Sequence, residues 1–189
     1  PAALGIGARH ITVTTVGIVP ALAQLAKRPE QFRLAVSLHA ATSETRRALM
    51  PVDRKYPLAD VMKAIATFQR RVTFEYVMIA GTNDRDEDLV ALAALAKKAG
   101  AMVNLLPLHP GGGIPLEPTS RHRMGVFLDR LRGYGVEAVL RRSRGLDIAA
   151  ACGQLRIARP GPGEEVAPET HRDVHQAPRV RHRPRRPHP

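Results

Sequence analysis

From residue 7 to residue 142, short apolar runs alternate with longer stretches in which apolar side chains recur every third or fourth position. The runs suit buried strands and the stretches suit amphipathic helices, so the pattern predicts repeated strand and helix units building a parallel sheet. Strands are expected at 10–15, 33–38, 72–79, 102–106 and 136–140. Helices are expected at 20–26, at 57–68 behind Pro57, at 84–98 and at 124–134, with a short one after a capping Ser43. The 84–98 segment is acidic at its start and ends in Lys97 and Lys98, as the helix dipole prefers. Right-handed crossovers between such strands curve the sheet into an open part of a βα barrel.

The character changes near Pro160. Proline, arginine and histidine then dominate and apolar residues almost vanish, which divides the chain into a folded part, 1–157, and a disordered tail, 158–189. His171, His175, His182 and His188 are spread among prolines that fix no coordination geometry, so a solvated tail is expected there rather than a metal site. Gly111-Gly112-Gly113, inside a Pro and Gly loop at 107–118, lacks the lysine and helix start of a nucleotide-binding loop and reads as a flexible connection.

At 189 residues, 44% of them apolar, the folded part has room for one domain with a real core. No stretch approaches the roughly 18 apolar residues of a membrane span. A single cysteine forms no internal disulfide, which favours a reducing cytoplasm. The formal charge of +12, from 29 Lys and Arg against 17 Asp and Glu, favours a polyanionic partner such as a nucleic acid. With three tyrosines, four phenylalanines and no tryptophan, a dedicated base-stacking platform is not expected.

The polar residues that change the picture lie near predicted strand ends, where βα barrels gather their functional groups. Thr14 falls at the end of the first strand, Ser37 and His39 at the end of the second, and Asn104 with His109 on or just past the fourth. Each alone also reads as a strand, turn, cap or core residue; on successive strand ends they read together as a site. Glu75 and Tyr76 point to opposite faces of their strand, so at most one of them looks into the barrel mouth. Cys152 sits among small residues, after Arg141-Arg142-Ser143-Arg144. It is sterically open and has cations nearby to favour its thiolate, which suits a nucleophile, although a lone cysteine also serves as a small buried hydrophobe.

Four segments, Ser37-Leu38-His39-Ala40, Glu75-Tyr76-Val77-Met78, Asn104-Leu105-Leu106-Pro107 and the run from Gly145 to Leu155, occur in an order and spacing that resembles the radical S-adenosylmethionine RNA methyltransferases. These enzymes methylate carbon 2 of an adenine in 23S rRNA and in some tRNAs. The resemblance covers about residues 5–157 and only the carboxyl-terminal half of such an enzyme. It implies a truncated, partial (βα) radical-SAM barrel that begins at the third of six strands and leaves the first strand here as an unpaired edge. It also implies a cytoplasmic, monomeric transferase and a cofactor contact at Thr14, Ser37, Leu38, His39 and Asn104, through hydroxyl, imidazole, amide and backbone groups. Thr14 stands where the family is expected to have serine.

The resemblance assigns Cys152 the role of methyl carrier. Its thiolate takes the methyl of one S-adenosylmethionine. A second molecule, cleaved by an electron from a [4Fe-4S] cluster that a donor such as flavodoxin reduces, yields the radical that activates the S-methyl group. The carbon radical then adds to electron-poor carbon 2 of adenine. The family's Cys-x-x-x-Cys-x-x-Cys cluster motif, its Gly-Glu motif, a resolving cysteine and a general-base glutamate are absent from this sequence, so the fragment alone is expected to be inactive. Two alternatives stand beside this expectation: the sister group that methylates carbon 8 of the same adenine, and a catalytically dead basic fragment that binds RNA through charge.

Overall fold

The computed structural model describes residues 5–109 and 115–141. Five strands form one sheet: β1 (Thr12–Thr15), β2 (Arg33–Ser37), β3 (Val72–Met78), β4 (Met102–Pro107) and β5 (Ala138–Leu140). Their order in space is their order in the chain, and every pairing is parallel. Helices α1 (Val19–Ala26), α2 (Ser43–Leu49), α3 (Leu58–Ala66), α4 (Asp86–Ala99) and α5 (Arg121–Gly133) fill the connections.

A doubly wound sheet is buried on both faces; this one is not. Along β3 buried and half-buried positions alternate strictly. Leu34, Val36, Phe74, Tyr76, Met78, Val103 and Leu105 point to one face. There they form a core with Leu22 of α1, Val61 and Ile65 of α3, Leu89 and Leu92 of α4, and Phe127 and Leu131 of α5. Tyr76 stacks on Phe127 with ring centroids 6.2 Å apart and donates its hydroxyl to the Asn83 carbonyl at 2.8 Å. By the pleat, Thr14, Ser37, Thr73, Glu75, Val77 and Asn104 line the opposite face. One helix-covered face and one face without helices are what a portion of a βα barrel presents, its helices lying outside; here the face without helices is largely polar.

The α/β class, the parallel strands and the order of elements agree with the sequence expectation. Several boundaries do not. His10 lies in a 3-10 turn, Ala8–His10, so β1 begins at Thr12. The cap of α2 is Thr42, whose hydroxyl accepts from the Thr45 amide at 3.3 Å, and not Ser43, which is the first helical residue. α4 begins at Asp86 because Asp84 is engaged elsewhere: its carboxylate accepts from the Gly81 amide at 2.8 Å and from the Thr119 hydroxyl at 2.8 Å. α4 stops at Gly100, whose φ of 57° lets the Ala101 amide reach back to the Ala96 carbonyl at 2.9 Å.

Among the described residues β1 pairs only with β2 and forms an edge of the sheet. Ile11, Val16 and Ile18 are exposed beside it. A cavity of about 380 Å³, lined by Val13, Thr15, Leu22, Leu25 and Phe32, opens between β1 and α1 on the helix side, away from the polar face. None of the described helices is long and apolar enough to cross a membrane. Cys152, the segment 142–157 and the tail 158–189 lie outside the described residues.

Candidate functional site on the open face of the sheet

Strand register assembles the site. Ser37 of β2 pairs with Glu75 of β3, and Glu75 with Asn104 of β4, so three polar residues stand side by side across three strands on the open face. Ser37 is the last residue of β2 while Asn104 is the third of β4; the stagger of the strands brings them level. The Asn104 Nδ2 amide donates to Glu75 Oε2 at 2.9 Å. Thr14 of β1 pairs with Ala35, one pleat below Ser37 on the same face, and is exposed.

The chain turns sharply just past Ser37. The Leu38 and His39 amides both donate to the Glu75 carbonyl, at 3.0 and 3.2 Å. The Leu38 side chain then drops into the helix-side core, fully buried, so any ligand contact it makes is through its backbone. His39 has φ of 53°, the left-handed region that side chains other than glycine rarely occupy. Three contacts hold it there. Besides its own amide bond, its carbonyl accepts from Asn83 Nδ2 at 2.8 Å, and its Nδ1 accepts from the Val77 amide at 3.2 Å. Strain maintained by several surrounding contacts is characteristic of residues whose position matters to function.

Because Nδ1 is an acceptor, the ring proton of neutral His39 sits on Nε2. Burial, helped by the nearby Arg46 cation, lowers its pKa to about 4 from 6.5. The imidazole is therefore neutral at physiological pH and presents an N–H donor. Folding excludes a proton that the unfolded chain takes up below pH 6.5, so stability should fall as pH drops from 6.5 towards 4, on the order of 1 kcal/mol per pH unit. Chemical denaturation of wild type and His39→Asn across pH 4–7 checks this. Asparagine tolerates the left-handed backbone, and its curve should lose that slope.

Asn83 ties the network together and is fully buried. Its Oδ1 accepts from the Ile79 amide at 2.7 Å and its Nδ2 donates to the Val77 carbonyl at 2.7 Å as well as to His39. A second support is ionic: Arg46 of α2 and Asp53 of the following 3-10 helix, Pro51–Arg54, are both fully buried and meet at 2.6 Å. The same guanidinium donates to the Val16 carbonyl just beyond β1, at 2.7 Å. Sequence reasoning singled out none of Asn83, Arg46 and Asp53, and it left Glu75 undecided against Tyr76. Turn residues directly after the third strand, Thr82-Asn83-Asp84, were the available signal for Asn83.

Of the residues expected at the site, Ser37, His39 and Asn104 come together around Glu75, and Thr14 shares their face. His109 lies two residues beyond β4. A [4Fe-4S] cluster held on three thiolates does not fit a chain with one cysteine. Among the described residues no three His, Cys, Asp or Glu side chains gather to hold a metal ion.

No family model matches the chain. Its structure superposes on a radical SAM methyltransferase from Sphaerobacter thermophilus with a TM-score of 0.76 and 44% identity, covering 80% of this chain and 46% of that one. A domain of a pyruvate-formate lyase-activating enzyme from Bacteroides vulgatus shares the fold, with a TM-score of 0.59 at 16% identity over 75% of this chain and 84% of that one. Fold and open polar face together define a barrel portion of the radical SAM class. In sequence the chain is 56% identical over 177 residues to the probable dual-specificity RNA methyltransferase RlmN of Gemmatimonas aurantiaca, covering 94% of this chain and 49% of that protein. The probable RlmN of Moorella thermoacetica is 46% identical over 84% of this chain and 46% of its own length. The RlmN of Anaeromyxobacter dehalogenans is 45% identical over 82% of this chain and 42% of its own. The chain belongs to the RlmN family of RNA methyltransferases and spans about half the length of the relatives it matches.

Proposed function

We propose that this chain is the part of an S-adenosylmethionine-dependent RNA methyltransferase that binds the methyl donor and carries the methyl group, acting on carbon 2 of an adenine in 23S rRNA and in tRNA in the cytoplasm. The observation that carries this reading is the 56% identity to an RlmN protein over 94% of the chain. The row Ser37, Glu75, Asn104 with His39 supports it chemically. Hydroxyl, amide and a neutral imidazole on the open face offer donors and acceptors for the adenosine and amino-acid ends of the ligand without adding a positive charge beside its sulfonium. Thr14 adds a second hydroxyl from the neighbouring strand.

In this reading the residues of the open face hold S-adenosylmethionine, and the Cys152 thiolate displaces its methyl group. The sulfur lone pair forms the new S–C bond as the sulfonium–methyl bond breaks, and S-adenosylhomocysteine leaves. The thioether so formed on Cys152 is the methyl source for RNA. The cations of Arg141, Arg142 and Arg144 favour the thiolate and the approach of a polyanion. Cluster ligands must come from outside this chain, so the chain by itself should transfer no methyl group to RNA.

The test is a reaction of the full-length protein with unmodified 23S rRNA and tRNA, followed by nucleoside digestion and chromatography against standards. 2-Methyladenosine from both RNAs is the expected product. 8-Methyladenosine would move the assignment to the sister activity, and no methylated adenosine would leave a basic RNA-binding chain.

A further inference from the structure

Glu75 lies at the centre of the site and is not among the residues expected to touch the ligand. Its backbone carbonyl takes the Leu38 and His39 amides on the β2 side, and its carboxylate takes the Asn104 amide on the β4 side. The two arms of the site thus meet on one residue, and the side chain serves only the second arm.

An ionised carboxylate can only accept, whereas an asparagine amide has one donating and one accepting end. Facing Glu75, Asn104 must turn its Nδ2 inward along the sheet. Its Oδ1 is then left as the acceptor for a ligand. A neutral partner at position 75 would not dictate this choice, because a glutamine amide can either donate or accept.

We infer that Glu75 is a positioning residue that fixes the Asn104 amide with Oδ1 presented to an N–H or O–H donor of S-adenosylmethionine. The inference rests on the proposed ligand contact of Asn104. It assigns the motif glutamate a polarity-setting role and predicts that acceptor character at position 104, rather than the charge at position 75, governs binding.

Isothermal titration of S-adenosylmethionine into the full-length protein tests it, with circular dichroism melts confirming that each variant is folded. Glu75→Gln should weaken binding about twofold, because the Asn104 amide is then divided between two orientations of which the ligand selects the one with Oδ1 outward. Asn104→Asp alone sets two carboxylates side by side and should also bind poorly. The double variant, Glu75→Gln with Asn104→Asp, lets glutamine donate inward while aspartate offers an acceptor outward, and should recover to within about threefold of wild type. A merely structural glutamate would show no such recovery. Wild-type affinity in Glu75→Gln, or a double variant no better than Asn104→Asp, overturns the inference. Unchanged affinity in Asn104→Ala would instead overturn the ligand contact on which it rests.

Discussion

Replacing Cys152 with alanine in the full-length protein should abolish methylation of RNA, a loss of roughly a thousandfold or more, while leaving S-adenosylmethionine affinity and melting temperature near wild type. In the proposed reaction the acceptor, carbon 2 of adenine, is electron-poor and does not attack a sulfonium methyl, so the methyl group passes through another atom. The Cys152 sulfur is the only thiol this chain offers. Thr14, Ser37, His39 and Asn104 lie on other segments, so the proposed binding face should survive the substitution. Cys152→Ser is the sharper control. It keeps a small polar group, yet its hydroxyl is not ionised near neutral pH, so it too should be inactive. Product formation by either variant, measured by nucleoside chromatography, would remove Cys152 from the mechanism.

The second large effect concerns stability. Asp53→Ala should cost about 3–5 kcal/mol, because it leaves the Arg46 guanidinium buried without its counter-charge. Arg46→Met should cost a similar amount by stranding Asp53, whose second oxygen then has only Arg47 Nε at 3.7 Å. Combining Arg46→Met with Asp53→Leu removes both charges and should recover most of the loss; urea denaturation of the three variants checks this. The pair also has a positional consequence, since Arg46 grips the Val16 carbonyl just beyond β1. Gly17 makes room for that contact. Its φ is 96°, and a Cβ there would come within 2.9 Å of Val61 Cγ2 and 3.2 Å of Arg46 Nη2.

Much of this architecture was legible in the chain, for identifiable reasons. The five strands stand out because their apolar runs are bounded by helices with clear periodicity, and parallel pairing follows from the alternation. Helix starts were less legible. Asp84 and Ser43 are both good caps by type, but Asp84 is committed to Gly81 and Thr119, and Thr42 takes the cap that Ser43 might equally have filled. For Asp84 the choice depends partly on Thr119, a neighbour distant in sequence.

The site was half legible. Ser37, His39 and Asn104 could be found by placing polar residues near strand ends. Their common level on the sheet depends on register, which no local pattern encodes. The same register decides between Glu75 and Tyr76: Tyr76 faces α5 and is buried, and Glu75 faces the open side. Arg46 and Asp53 look in sequence like surface charges of a short helix and its following turn, and only the packing of α2 against the end of β1 buries them.

The most direct test of the account is the state of the tryptic peptide from Gly145 to Arg156 in full-length protein incubated with S-adenosylmethionine carrying an isotopically labelled methyl group. The account predicts that mass spectrometry finds this peptide heavier by the labelled methyl in place of one hydrogen, with fragmentation locating it on Cys152. Labelled RNA produced at full yield by a protein whose Cys152 never carries the label would contradict it.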